Sequence, residues 1–219
     1  MEVAHDNTEV VIAEGFVCGS ESSIPKRLMD IAIASIGLVC LSPILLLTAI
    51  AIKFSDGGPV FHRRRCVGLN GKDFDAFKFR SMRVDADAVL LRDPELRKTF
   101  ERNFKLHADP RVTSIGRFIR KTSIDELPQL WNILIGEMSA VGPRMITRQE
   151  LEKYGDAASL LLTVKPGLTG FWQTEGRQTT SYEQRVQMDI YYIRNWSLSF
   201  DMRVLLRTPS KVFKGEGAY

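Results

Sequence analysis

Residues 30–53 read DIAIASIGLVCLSPILLLTAIAIK, and no side chain between Asp30 and Lys53 carries a charge. As one straight helix the run spans roughly 30 Å, the thickness of a bilayer's hydrocarbon core. Ser42-Pro43 in its middle opens two readings. Proline offers no N–H to the carbonyl four residues back, and its ring clashes there, so the helix kinks or breaks. A kinked helix still crosses a membrane when a hydroxyl satisfies the freed carbonyl. A helix–break–helix instead enters and leaves on the same side. Lys26 and Arg27 precede the run, and Lys53 and Arg63-Arg64-Arg65 follow it. Bases on both flanks give no preferred direction for a crossing, whereas two cytoplasmic ends satisfy the positive-inside rule. The residues alone leave both readings open. A signal peptide fits poorly, because the run starts late, acids precede it and no small-residue cleavage site follows.

Around this element the chain divides into a tail (1–24), the membrane element (25–54) and one folded domain (55–219). A short run, Val10–Ala13, could form a strand within the tail. The composition, 44% hydrophobic and 26% charged, is that of an ordinary folded protein. A net charge of +4 suits a surface facing phosphates or an anionic leaflet, and is too mild to argue for nucleic acid. Cys18, Cys40 and Cys66 form no C-x-x-C pair, and His5, His62 and His107 are scattered. A disulfide framework and a zinc site are both disfavoured. A metal, if used, is held by carboxylates and phosphates, which points to Mg²⁺.

Within the domain, Val60–Cys66 and Phe74–Phe79 read as strands joined at Gly68-Leu69-Asn70-Gly71, a β-hairpin signal. Residues 83–106 read as a charged, solvated helix. Val112–Lys121 reads as a short basic amphipathic helix, suited to a headgroup surface or to an ordinary protein surface. Leu127–Ile135 is a very apolar helix with Pro128 in its first turn and Asp125 or Ser123 as its cap. Lys165–Gly170 is a turn-rich loop. Tyr182–Trp196 and Phe200–Val212 are helical, the second amphipathic and basic. The expected fold class is α/β, helix-rich, with a β-hairpin and interfacial amphipathic helices.

Asp125 and Glu126 sit together where a helix begins, and a helix N-terminus favours negative charge or a bound phosphate. Acids in a first helical turn are also ordinary caps. Arginines in turn-rich contexts shift the balance: Arg120, Arg144 in Val141-Gly142-Pro143-Arg144, and Arg177 after Gly176. Guanidinium forks match phosphate oxygens, and neighbouring glycines let backbone approach a ligand. With no catalytic histidine pattern, the set suggests phosphate chemistry using Mg²⁺.

The chain resembles the small monotopic phosphoglycosyl transferases, the bacterial polyprenyl-phosphate sugar-1-phosphate transferases. The resemblance is carried by Lys26-Arg27-x-x-Asp30, Ser42-Pro43, Gly58-Pro59-Val60-Phe61, Lys78-Phe79-Arg80-Ser81-Met82 and Asp109-Pro110-Arg111-Val112-Thr113. It continues through Arg120–Leu130, Gly136-Glu137-Met138-Ser139, Val141–Arg144, Lys165–Gly170, Asp189-x-x-Tyr192 and Asn195-Trp196-Ser197. The pattern is most similar to exopolysaccharide initiators of the succinoglycan galactosyl-phosphate transferase type. Two positions depart from it. Met145 stands where the family has proline, which suggests a looser loop. Cys66 stands where it tends to have arginine, and Arg65 points to the opposite strand face.

The resemblance implies a re-entrant membrane element and a cytoplasmic catalytic domain at the bacterial inner membrane. It implies transfer of a sugar-1-phosphate from a UDP-sugar to undecaprenyl phosphate through a phosphosugar-aspartyl intermediate, with UMP released. This would be the first membrane step of exopolysaccharide biosynthesis. Asp125 would be the nucleophile and Glu126 its assistant, through a metal or as a base. Arg120, Arg144 and Arg177 would bind substrate phosphate, with Asp189, Lys78 and Arg80 in support. Mg²⁺ would be held by Asp125, with Glu126 as a candidate second ligand. Membrane lipids, a second copy of the chain and other polysaccharide assembly enzymes are candidate partners; nucleic acid is not. The rival readings are a non-catalytic membrane-anchored scaffold and an anionic-lipid-binding module.

Overall fold

The computed structural model describes residues 23–103, 106, 109–176 and 180–214. The Val10–Ala13 run lies outside them. Helix α1 (Ile24–Cys40) starts one residue inside the expected tail, with the Ser23 hydroxyl accepting the Lys26 N–H. Helix α2 (Ser42–Asp56) follows after Leu41, and the two are bent by 61°. Pro43 falls in the first turn of α2, where a missing N–H is harmless. The Ser42 hydroxyl donates to the Val39 carbonyl at 2.7 Å. Among the described residues no single helix is long and apolar enough to cross a membrane; the bent pair together is, by length and composition.

The start of α1 is tied deeply into the domain. Lys26 is buried, and its ammonium donates to Asp201 at 2.7 Å and to the Val141 carbonyl at 3.0 Å. Asp201 also accepts from Tyr192 Oη and Trp196 Nε1. Arg27 donates to the carbonyls of Ile133 and Leu134. Asp30 accepts from Ser139 Oγ and the Ala140 N–H. Lys26 and Arg27 therefore act as internal struts, and the flanking-charge argument for topology loses both.

Strands β1 (Phe61–Val67) and β2 (Asp73–Phe79) form an antiparallel hairpin, in register from Phe61↔Phe79 to Val67↔Asp73. Its turn needs positive φ at Asn70 and Gly71, which these two residue types tolerate. The expected helix over 83–106 is two, α3 (Ala86–Arg92) and α4 (Pro94–Asn103). Asp93 between them is extended, because the residue before a proline is pushed out of the helical region. Helix α5 (Ser114–Lys121) is capped by Thr113. Then come α6 (Gln129–Ile135), β3 (Ser139–Val141), α7 (Arg148–Leu151), α8 (Ala158–Leu161), β4 (Gly167–Thr169), α9 (Phe171–Glu175), α10 (Tyr182–Arg194) and α11 (Leu198–Lys214).

Strand β4 lies inside the segment expected to be only loop. It pairs in parallel with β3, Ser139 opposite Gly167 and Val141 opposite Thr169. The glycines explain why. A Cβ on Gly167 would stand 2.1 Å from the Gly142 nitrogen, so the two backbones pass in contact only because neither residue has a side chain. The glycine beside Arg144 thus serves chain-to-chain approach. The core gathers Ile133, Met138, Val141, Ile193 and Val204 between α6, β3, α10 and α11.

Removing one member of a buried ion pair strands the other charge, at a cost of about 3–5 kcal/mol. Lys26→Met is expected to lower stability by that amount in chemical or thermal unfolding. Adding Asp201→Asn should recover a large part of the loss.

Candidate active site

The site starts with one left-handed residue. After α5, Ser123 adopts φ 55° and ψ 16°, which costs roughly 1–2 kcal/mol for a residue with a side chain. A single 3-10 turn, Ile124–Glu126, follows, and α6 begins only at Gln129. Neither Ser123 nor Asp125 caps α6 with its side chain, contrary to the sequence expectation. The turn presents the two acids to a basic surface instead.

Glu126 accepts from Lys78 Nζ at 2.6 Å and from an Arg144 guanidinium nitrogen at 3.3 Å. Lys78 comes from β2 and Arg144 from the loop after β3, so three separate segments meet at one carboxylate. The hairpin is held in place by Asn132 of α6. Its amide oxygen accepts the Phe77 N–H at 3.0 Å, and its nitrogen donates to the Asp75 carbonyl at 2.9 Å. Arg120 donates to Ser81 Oγ at 2.8 Å, and its charge acts on Asp125.

Asp125 is buried, and no hydrogen bond from the described residues engages its carboxylate. Burial, reinforced by the Glu126 charge, pushes its carboxyl up to about 6; Lys78, Arg120 and Arg144 pull against that rise. The helix-dipole expectation is therefore not what governs this group. Glu126 goes the other way: burial would raise it, but Lys78 and Arg144 outweigh burial and hold it at about 2. Adjacent acids are thus split, one permanently charged and one titrating just below neutrality.

Of the other expected residues, Asp189 is near enough to Arg144 for that charge to act on it. It is buried, accepts from Tyr154 Oη at 2.8 Å, and feels the Arg144 charge. Burial pushes it, too, up to about 6. Arg80 does not face the carboxylates. The strand ends at Phe79, so the alternation that aims Lys78 no longer applies. Arg80 donates to Asp56 and to the Pro59 carbonyl, clamping the end of α2. Arg177 lies outside the described residues.

Sequence reading missed Arg64, which pairs with Glu150 at 2.7 Å and whose charge reaches Glu126. The signal was available: Arg64 lies opposite Ala76, so hairpin register makes it the diagonal, same-face neighbour of Lys78. Arg65 is exposed and pairs with Asp75 instead. Met145 does not loosen its loop. It is buried in the core, and Ile146 next to it bridges to Val67. Cys66 is also core, and burial lifts its thiol to about 11, out of nucleophilic range at neutral pH.

Among the described residues no three His, Cys, Asp or Glu side chains converge as a metal cage. Glu126 is already occupied by two cations. Asp125 remains, and one carboxylate completed by substrate phosphate oxygens is a donor set that Mg²⁺ accepts.

The bacterial sugar transferase family model matches residues 21–215, and the chain belongs to that family. It is 44% identical over 198 residues to the undecaprenyl-phosphate galactose phosphotransferase of Salmonella typhimurium. It is also 44% identical over 198 residues to a UDP-galactose-lipid carrier transferase of Erwinia amylovora. Each match covers 89% of this chain but only 41% of the relative. The exopolysaccharide production protein ExoY of Sinorhizobium fredii is 45% identical over 200 residues, covering 90% of this chain and 88% of the relative.

In a carboxylate titration followed by ¹³C NMR, Asp125 is expected to titrate near pH 6 and Glu126 to stay ionised throughout. Between about pH 4 and about pH 6 the native state keeps a proton that the unfolded chain releases, so this group's contribution to stability falls as pH rises through that window. Lys78→Met should move the Asp125 midpoint upward and release Glu126 from its low value.

Proposed function

We propose that the chain transfers a sugar-1-phosphate from a UDP-sugar to undecaprenyl phosphate, initiating exopolysaccharide assembly. The observation that carries this reading is the split carboxylate pair: an Asp125 that accepts no hydrogen bond from the described residues, beside a Glu126 clasped by Lys78 and Arg144. The names of the relatives, which join UDP-galactose, a lipid carrier and undecaprenyl phosphate, support the substrate classes.

In the first step a carboxylate oxygen of Asp125 attacks the β-phosphorus of the UDP-sugar. The bond from that phosphorus to the oxygen bridging it to the α-phosphate breaks, and UMP leaves. An acyl-phosphate ester between Asp125 and the sugar phosphate remains. In the second step a phosphate oxygen of undecaprenyl phosphate attacks the same phosphorus, and Asp125 departs as a carboxylate. Splitting the transfer in two is ordinary covalent catalysis. The obstacle is anion meeting anion. Lys78, Arg144 and Arg120 supply fixed positive charge where a pyrophosphate must lie, in a setting with little water to screen it. Glu126 pins two of those cations in position. Mg²⁺, held by Asp125 and the substrate phosphates, would further neutralise the diphosphate.

The element formed by α1 and α2 acts, in this reading, as a re-entrant anchor at the cytoplasmic face of the bacterial inner membrane. Support comes from its two ends. The start of α1 is bound through Lys26 and Asp30, and the end of α2 through Asp56 to Arg80, to the same folded domain. A crossing would separate those ends by roughly 30 Å across the bilayer. Ile36, Val39, Leu46, Leu47 and Phe54 of the pair are exposed, as are Phe118 and Trp131 nearby on α5 and α6. An apolar surface of that extent is suited to lipid. The acceptor's phosphate would then lie at the headgroup plane within reach of Asp125.

Asp125→Asn is expected to lower UMP release from a UDP-sugar by more than about 10³-fold and to abolish the trapped phosphosugar enzyme. Near-normal turnover in that variant would remove the nucleophile assignment. For topology, single cysteines made as Ser23→Cys and Ser55→Cys, with the native cysteines replaced, should both label only from the cytoplasmic side. Labelling of one from each side would overturn the re-entrant anchor.

A further inference from the structure

Buried polar atoms almost always find a hydrogen-bond partner, so orphans that cluster point to a missing ligand. Among the described residues six buried side-chain nitrogen or oxygen atoms lack one. Four of the six belong to a single patch where α9 meets α10: Arg185 Nε and one terminal Arg185 nitrogen, Trp172 Nε1, and Asp189 Oδ1. The Arg185 guanidinium lies over two rings, 5.4 Å from the centre of Trp172 and 5.1 Å from that of Tyr182. Its Nε stands 4.0 Å from Asp189 Oδ2, too far for a hydrogen bond.

The patch continues the site already described. Arg144 touches Glu126 at 3.3 Å, and its charge reaches Asp189. Arg144 thus links the two acids to Asp189, and a diphosphate lying against Arg144 would have both within its length. We infer that the α9–α10 patch receives the nucleobase of the donor: Arg185 and Trp172 donate to the two carbonyls of a uracil ring, and Asp189 accepts its imide N–H. This rests on the transferase reading and deepens it.

Three features select a pyrimidinedione over other occupants. Asp189 opposes a phosphate. Arg185 already lies over a face of Trp172 and of Tyr182, which leaves less of either ring for stacking a sugar. A uracil edge has two fixed acceptors flanking one donor, matched by N–H donors and a carboxylate. Cytosine presents an amino donor where uracil presents a carbonyl, and meets Arg185 or Trp172 donor to donor.

The test uses the full-length chain in detergent with Asp125→Asn, which blocks the transfer chemistry, and measures dissociation constants for UMP and CMP. UMP should bind and CMP should bind more weakly. Adding Arg185→Gln should weaken UMP by about ten-fold or more and bring the UMP-to-CMP ratio towards one. Adding Trp172→Phe keeps the ring, removes only its N–H, and should weaken UMP by a smaller factor with the circular dichroism spectrum unchanged. UMP affinities within two-fold of the parent in both variants would overturn the nucleobase assignment alone. Failure of the parent to bind UMP at all would overturn the transferase reading as well.

Discussion

Glu126 is the point at which the hairpin, the loop after β3 and the turn after α5 are brought together. Its carboxylate accepts from Lys78 and Arg144 at once, and each cation belongs to a segment far away in sequence. A carboxylate holding two cations stays charged, and it lies beside a second acid that burial pushes towards neutrality. The interaction is therefore structural and electrostatic together. It fixes where the positive charge stands, and it leaves Asp125 as the acid of the pair without a hydrogen bond from the described residues.

The bent α1–α2 pair is held by the same kind of pairing. Its apolar faces are unusual for a water-soluble surface, yet its ends are among the most firmly bound parts of the chain. Lys26, Asp30 and Asp201 are buried polar groups: Lys26 is satisfied by Val141 of β3 and Asp201 of α11, Asp30 by Ser139 and Ala140 of β3, and Asp201 by Lys26, Tyr192 and Trp196. Such groups are costly to bury unless paired, so their pairing fixes the angle and depth at which α1 leaves the domain. At the other end Arg80 clamps Asp56, next to the strand that carries Lys78. The distance from the carboxylate pair to the apolar surface is set by these ties and not by a flexible linker.

Two departures from the family pattern turn out to be packing choices. Met145 fills core volume beside Arg144, while Ile146 locks the following backbone to Val67, so that loop stays ordered without a proline. Cys66 is an apolar side chain on the inner face of the hairpin. Neither reaches the carboxylates. The closeness of Gly142 to Gly167 has a larger effect. It lets β3 and β4 pair, and Arg144 bridges Gly167 directly after that contact.

The amino-acid order alone was enough for the local features: the break at Ser42-Pro43, the hairpin with its Asn-Gly turn, the helices near 127–135, 182–196 and 200–212, and the acidic pair with arginines in nearby turns. Each is legible because hydrophobic period, proline and glycine act over a few residues. It took the folded chain to show that Lys26 and Arg27 are internal struts, that Arg80 clamps the end of α2, that a strand lies within the Lys165–Gly170 loop, and that the Arg64 charge reaches Glu126. All of these depend on contacts between segments far apart in the chain. The order of the two carboxyl groups was also beyond the sequence. Asp125 and Glu126 are neighbours with similar intrinsic acidity, and what separates them is that burial governs Asp125 while Lys78 and Arg144 bond directly to Glu126.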